Sequence, residues 1–475
     1  MLSRAAAPVD HAIGATRPTW QGALEAGISV ALLVGGLLLT PDRFLVLSFA
    51  VAGGAATLIA RRPLAVWVIA VPLAALANLQ PWRAAGSGAL YPAEAFLLAA
   101  SAGIALRGGR GAGETGPANA ASPVGPSTAP AGAPARVARW ALWGMVGWMA
   151  LAAVAGLSRV GTPGALRALR LAWMAGVACT CGARAGWRGV GGLSAAAAAS
   201  ALLLALAAAV EVAVGASVRG VPRIGQLVGG SELLAIHLTL VAPLALGLAL
   251  ARPGRDPRAW LGWAGALGGL AALGVSFSRS GWVGGWLALL VVAGLAWWWG
   301  RRRAALVAAA LLLLVGGVAG LLLVGGIELP GVPAVYAERL GSLGGGGALL
   351  GDRTREWQRG IDTIAAAPLV GHADAPNCYN LVLGIAARSG LPAAACFLVL
   401  VVVSALRMMA AGRAWRPAAV ADSALIAGCL GGLVGLLTTG IGESSLGLRV
   451  VPLALTLIGL GAGLTALRRG EAEPP

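Results

Sequence analysis

The amino-acid sequence predicts an all-α fold: a polytopic transmembrane helical bundle of about 12–14 spans, with one larger extracytoplasmic loop containing short helices. Three observations lead there. Apolar runs near the ~20 residues that a helix needs to cross ~30 Å of hydrocarbon recur along almost the whole chain. Of its 475 residues, 58% are hydrophobic and only 11% charged, too little polar surface for a water-soluble domain of this size. All 35 basic residues are arginines, and most of them fall between the apolar runs.

Fourteen stretches qualify as spans, at about 20–40, 44–60, 64–80, 88–106, 139–157, 165–183, 190–214, 232–251, 259–277, 281–299, 304–326, 391–407, 417–439 and 444–466. They divide the chain into N-terminal transmembrane helices over 1–106, a linker over 107–138 and a second transmembrane domain over 139–475. The linker, "RGGRGAGETGPANAASPVGPSTAPAGAPAR", has almost nothing to bury and is expected to be disordered and cytoplasmic. With the N-terminus inside, Arg61-Arg62, "RPGRDPR", "RRR" at 301–303 and "RMMAAGRAWR" all become cytoplasmic, as the positive-inside rule requires. The long extracytoplasmic loop is then 327–390. Within it, "GDRTREWQRGIDTIAAAP" predicts a short surface helix. Asp352 is placed to cap it, Trp357, Ile361 and Ile364 recur at helical spacing, and Pro368 stops it.

Several function classes fall away at this point. The net charge of +17 comes without a basic patch interleaved with aromatics, so nucleic acid is not a partner. Five cysteines make no disulfide framework, and with no CxxC or HExxH spacing neither a metal nor another cofactor is expected. Residues 1–19 lack an apolar core and do not read as a cleaved signal peptide.

The polar residues left over are the informative ones. Arg219, Arg223, Arg279, Arg353, Arg355, Arg359, Arg388 and Arg449 lie on the expected outer side, against the positive-inside bias. Arginine's planar fork of donors matches phosphate oxygens bidentately, so the set suits a lipid diphosphate at the outer leaflet. Glu25, Glu94, Glu211, Glu232 and Glu443 sit within or at the ends of spans, where a charge faces a bundle interior or a wet cavity. The stretch "APNCYNLVLGIAARSGLPA", Ala375 to Ala393, concentrates Asn, Tyr and Arg at the membrane boundary.

Five pieces, taken in order, resemble bacterial O-antigen ligases and the related O-antigen polymerases. "RIGQLVGGSELLAIHL" resembles the family's Arg, Gly and polar residue opening a span, with Arg223 and Gly225. Ser278-Arg279-Ser280-Gly281 is similar to its small-polar turn. Arg353, Trp357, Pro368, Leu369 and Gly371 match its R-x-x-x-W … P-L-x-G loop helix. Tyr379-Asn380-Leu381-Val382-Leu383 with Gly390-Leu391 resembles H-N-x-x-L … G-L, with Tyr379 in place of the family's His. Gly442, Glu443 and Arg449 resemble its closing piece. The likeness covers roughly 220–460.

The resemblance implies a membrane glycosyltransferase acting without a metal at the outer face of the cytoplasmic membrane. Its donor would be a glycan on a polyprenyl diphosphate, its acceptor a glycan or lipid, and membrane lipids would surround it. Arg223, Arg279, Arg353 and Arg388 would bind the diphosphate. His372, Tyr379 and Asn380 are the catalytic candidates, with Glu232, Asp374, Trp357, Glu443 and Arg449 in support. His372, Asp374 and Glu232 are the candidate bases. A polysaccharide polymerase would use the same donor, and a transporter or flippase is the rival of another class, marked by polar, interrupted helices at mid-membrane.

Overall fold

A computed structural model describes residues 20–38, 133–214, 230–252, 255–276, 278–300, 346–372, 378–414, 420–442 and 451–464, with residue 375 and shorter pieces within 47–54, 95–102, 217–225 and 302–314. Ten helices follow in order among these residues. They are α1 (Trp20–Leu38), α2 (Ala133–Ala155), α3 (Leu157–Ala213), α4 (Ser231–Ala251), α5 (Pro257–Val275), α6 (Arg279–Trp298), α7 (Gly346–Ala366), α8 (Leu381–Ala414), α9 (Val420–Gly442) and α10 (Val451–Gly463). Between α3 and α4, Ser217–Val218 pairs antiparallel with Val221–Pro222 as a minimal hairpin, β1–β2.

Among the described residues, six helical stretches are long and apolar enough to cross a membrane: Pro134–Ala155, Val190–Ala213, Ser231–Ala251, Arg279–Trp298, Leu381–Arg413 and Ser423–Gly442. The chain is a helical, multi-pass membrane protein. Ala168–Thr180 and Leu453–Gly463 are shorter apolar helices. The predicted spans at 165–183 and 190–214 both fall in α3, one helical run of 57 residues. At 1.5 Å per residue this run is ~85 Å long, far beyond one crossing. The predicted span at 64–80 lies outside the described residues. α2 begins at Ala133, inside the stretch read as linker; the linker residues before it also lie outside the described residues.

α4 is the axis of the bundle. Its apolar stretch is 89% buried, and α3, α5, α6 and α9 pack on it. Glycines on α9 let that packing close to backbone distance. A Cβ at Gly428 would lie 2.6 Å from Pro243 O and one at Gly432 2.5 Å from Leu240 O, both on α4, while one at Gly431 would lie 2.9 Å from Ala288 O on α6. Bilayer helices associate through such small-residue contacts, because apolar side chains gain little by leaving lipid tails. α10 crosses α3 in the same way, through Gly182, Gly459 and Gly463.

The bundle has two ends. At one, Arg413 lies over the Trp298 ring at 5.2 Å, and Arg407 donates to the Leu464 carbonyl at the end of α10. At the other lie the N-termini of α4, α6 and α8, the C-terminus of α9, and α7.

Candidate functional site

The second end is built from three local structures. The first is the serine turn between α5 and α6. Ser278 caps α6, its Oγ accepting from Gly281 N at 3.1 Å, while Ser276 Oγ donates to Leu273 O at 2.7 Å. Ser278 and Ser280 hydroxyls are 3.2 Å apart. Each hydroxyl has a local partner, so the turn holds Arg279 at the first position of α6 on a rigid backbone.

The second is a break inside α8. Gly390 has φ 85° and ψ 162°, and Pro392 follows, so α8 is a short leg over 381–389 and a long leg beyond. A break strands backbone groups. Residues 368–372 satisfy them: Leu391 N donates to Pro368 O at 2.8 Å and His372 N to Ala387 O at 2.7 Å. A Cβ on Gly390 would run into Leu369 O, and one on Gly371, at φ 66°, would lie 2.7 Å from Ala387 O. The P-L-x-G and G-L pieces of the sequence are thus one backbone joint.

The third is α7. It starts at Gly346, so Asp352 lies inside the helix and is not its cap; Pro368 follows its end by two residues, as expected. Its inward stripe is Arg353, Trp357, Gly360 and Ile364, the i, i+4, i+7, i+11 spacing of one helix face. Ile361, expected on that stripe, is 47% exposed, because Gly360 takes the place beside Cys378. Arg355 and Arg359 face away, Arg359 pairing with Glu356 at 2.7 Å.

These parts meet at Arg353. Its guanidinium lies 5.2 Å above the Tyr379 ring. A methyl group at Gly442 would sit 3.4 Å from Arg353 Nη1 and 2.9 Å from Ser280 Cβ. Trp357 Nε1 donates to the Tyr379 carbonyl at 3.2 Å. Asn380 is the N-cap of α8, its Oδ1 accepting from Leu383 N at 3.0 Å. Beneath them, Thr439 Oγ1 donates to Thr239 Oγ1 at 3.2 Å and lies 3.5 Å from Ser280 O. Residues from α4, α6, α7, α8 and α9 therefore converge on one junction.

Tyr379 has φ 43°, the left-handed region that non-glycine side chains avoid. Cys378 beside it is fully buried against Gly360. Burial pushes its thiol above the ordinary 9.0; Arg388 pulls it back and Glu356 adds to the rise.

The other predicted residues divide. Arg388 is exposed on the last turn of the short leg, close enough for its charge to act on Cys378. His372 hydrogen-bonds Ala387 through its backbone, seven residues past Asn380, or ~10 Å along the leg. It therefore sits at the far end of the leg from Tyr379. Glu232 is exposed in the first turn of α4. It precedes Ala235, whose Cβ faces Gly281, by three residues, and Thr239 by seven, so it shares their face above the serine turn. Arg223, Asp374, Glu443 and Arg449 lie outside the described residues.

One feature carried little sequence signal: the Thr239–Thr439 pair joins hydroxyls 200 residues apart in apolar runs. Glu211, expected to face the bundle interior, is 3% exposed and accepts the Gly225 N–H. No protein-family model matches the chain, and no curated protein does.

Proposed function

We propose that this chain is a membrane glycosyltransferase of the O-antigen ligase type. It transfers a glycan from a polyprenyl diphosphate to a glycan or lipid acceptor at the outer face of the cytoplasmic membrane. The single observation that carries the reading is the convergence of four resembling pieces, scattered from Ser278 to Gly442, on Arg353. An arginine fork, with the N-termini of α6 and α8 beside it, suits a doubly charged phosphate group.

In the reaction an acceptor hydroxyl attacks the anomeric carbon, the C–O bond to the diphosphate breaks, and the carrier leaves with the electron pair. Negative charge grows on the leaving oxygen, where Arg353 stabilises it in place. The hydroxyl's proton goes to a base. Tyr379, whose ring lies beneath Arg353, is not given that role. Glu232, above the serine turn, is the better placed carboxylate, and His372 stands farther off along α8.

The test is transfer by the purified chain in lipid, supplied with a polyprenyl-diphosphate glycan and an acceptor. Arg353→Ala is expected to abolish transfer, and Glu232→Gln to lower it ~10²–10⁴-fold, the range of a lost general base. Unchanged transfer by Arg353→Ala overturns the reading. So does a wild type that moves the donor across vesicles without breaking it. In cells, a deletion that loses attachment of full chains indicates a ligase, and one that loses chain extension a polymerase.

A further inference from the structure

We infer that Tyr379 is a positioning residue acting through its ring: it holds the Arg353 guanidinium at the junction of α6, α8 and α9. The inference rests on the reading above and assigns this position a role other than proton transfer.

A left-handed backbone is costly for tyrosine, and Asn or Gly would take it with less strain. The residue is nevertheless pinned there from several sides. Trp357 donates to its carbonyl at 3.2 Å. Cys378 before it is locked against Gly360, and Asn380 after it caps α8. What this geometry achieves is a ring placed beneath Arg353, its centroid 5.2 Å from the guanidinium carbon.

An arginine side chain has four rotatable bonds and samples many positions when free. The ring offers its negative face to the guanidinium, and a cation–π contact of this kind uses the plane of the fork rather than its N–H donors. Arg353 is thereby fixed close to Gly442 and Ser280 before any anion arrives. Pre-ordering of this kind raises affinity by removing an ordering cost. An imidazole at this position would present a smaller face and its own charge equilibrium. A phenol ring presents the larger aromatic face.

The experiment compares Tyr379→Phe, Tyr379→Leu and the wild type in two measurements. The first is binding of geranylgeranyl diphosphate to each purified protein in detergent. Phe is expected to bind as the wild type does. Leu is expected to bind about tenfold more weakly, the size of a partly desolvated cation–π contact. The second needs no ligand: the rate at which phenylglyoxal modifies Arg353, mapped by mass spectrometry. It should rise in Leu and stay at the wild-type value in Phe.

Equal labelling of Leu and wild type overturns the inference, as does a Phe variant that behaves like Leu. If the wild type binds no diphosphate yet labelling follows the ring, the positioning role stands and the diphosphate reading falls. Tyr379→Gly separates strain from function. Relief of the left-handed penalty should keep its melting temperature at or above that of Leu, while Arg353 labels as fast as in Leu. A Gly variant that labels slowly would also overturn the inference.

Discussion

Where α6, α8 and α10 finish, Arg407 gives both Nε and Nη2 to the Leu464 carbonyl and Arg413 lies over Trp298. At the opposite end Arg353 also lies over an aromatic ring, but the ring belongs to a residue held in a left-handed backbone. The first pair of arginines follows ordinary rules: cations at helix C-termini, where the dipole and the unsatisfied carbonyls favour them. The second arrangement breaks a local rule to place a guanidinium at one point. Positive charge alone therefore does not mark a site in this bundle. What marks it is the backbone organised around the charge.

The joint that positions this backbone gives the largest expected effect. Gly390→Ala puts a Cβ into the Leu369 carbonyl at a φ of 85°, so strain and overlap act together. A loss of about 3 kcal/mol or more is expected, read as a fall in melting temperature in detergent. No comparable joint is described at the arginine-rich end. An unchanged melting temperature would mean that the two legs of α8 are not held by residues 368–372.

Arginine substitutions test the comparison directly. Arg353→Lys keeps the charge and loses the planar fork, and transfer is expected to fall ~10²-fold with little change in melting temperature. Arg407→Ala should do the reverse. It removes charge-assisted bonds at 2.9 Å and 2.5 Å to a helix-terminal carbonyl, costing about 1.5–3 kcal/mol of stability, while transfer per folded molecule holds. If the two variants lose activity in parallel, the ends do not differ in kind.

Much of this contrast was hidden in the sequence. The six long apolar helices are legible as apolar runs, and so is the existence of α7, because Trp357 and Ile364 keep helical spacing; how many times the chain crosses is not, since two runs read as separate spans continue into one another in α3. Its start is not legible: Asp352 has the chemistry of a cap, while "GGALLG" before it gives no helical signal. Ile361 reads as inward because apolar residues announce a buried face, whereas Gly360, which does face Cys378, announces nothing. His372 drew notice by its type. Only the fold shows that its backbone mends the break in α8. The meeting of Ser280, Arg353, Tyr379 and Gly442 joins residues up to 162 positions apart, read from the numbering, and no local pattern encodes such a contact.

Cys378 reports the seating of α7, with the smallest expected effect. Its thiol is buried under the stripe of α7, in the space that Gly360 leaves by lacking a side chain. Desolvation raises its pKa above the ordinary 9.0, with Arg388 opposing and Glu356 assisting. The sign follows from the raised value. The neutral thiol is the form the fold favours, so its contribution is fully present below pH 9.0 and is lost as pH climbs through the higher folded value. The same shift starves alkylation of thiolate. At pH 8, iodoacetamide should therefore label Cys378 in the folded protein more slowly than in the denatured chain, with the rate still climbing past pH 9.0. Trp357→Phe removes the indole N–H from the Tyr379 carbonyl and loosens α7. Labelling should then quicken about fivefold, as expected for one neutral hydrogen bond worth ~1 kcal/mol. Wild-type labelling as fast as that of the denatured chain would mean that α7 does not rest on α8, and the platform beneath Arg353 would go with it.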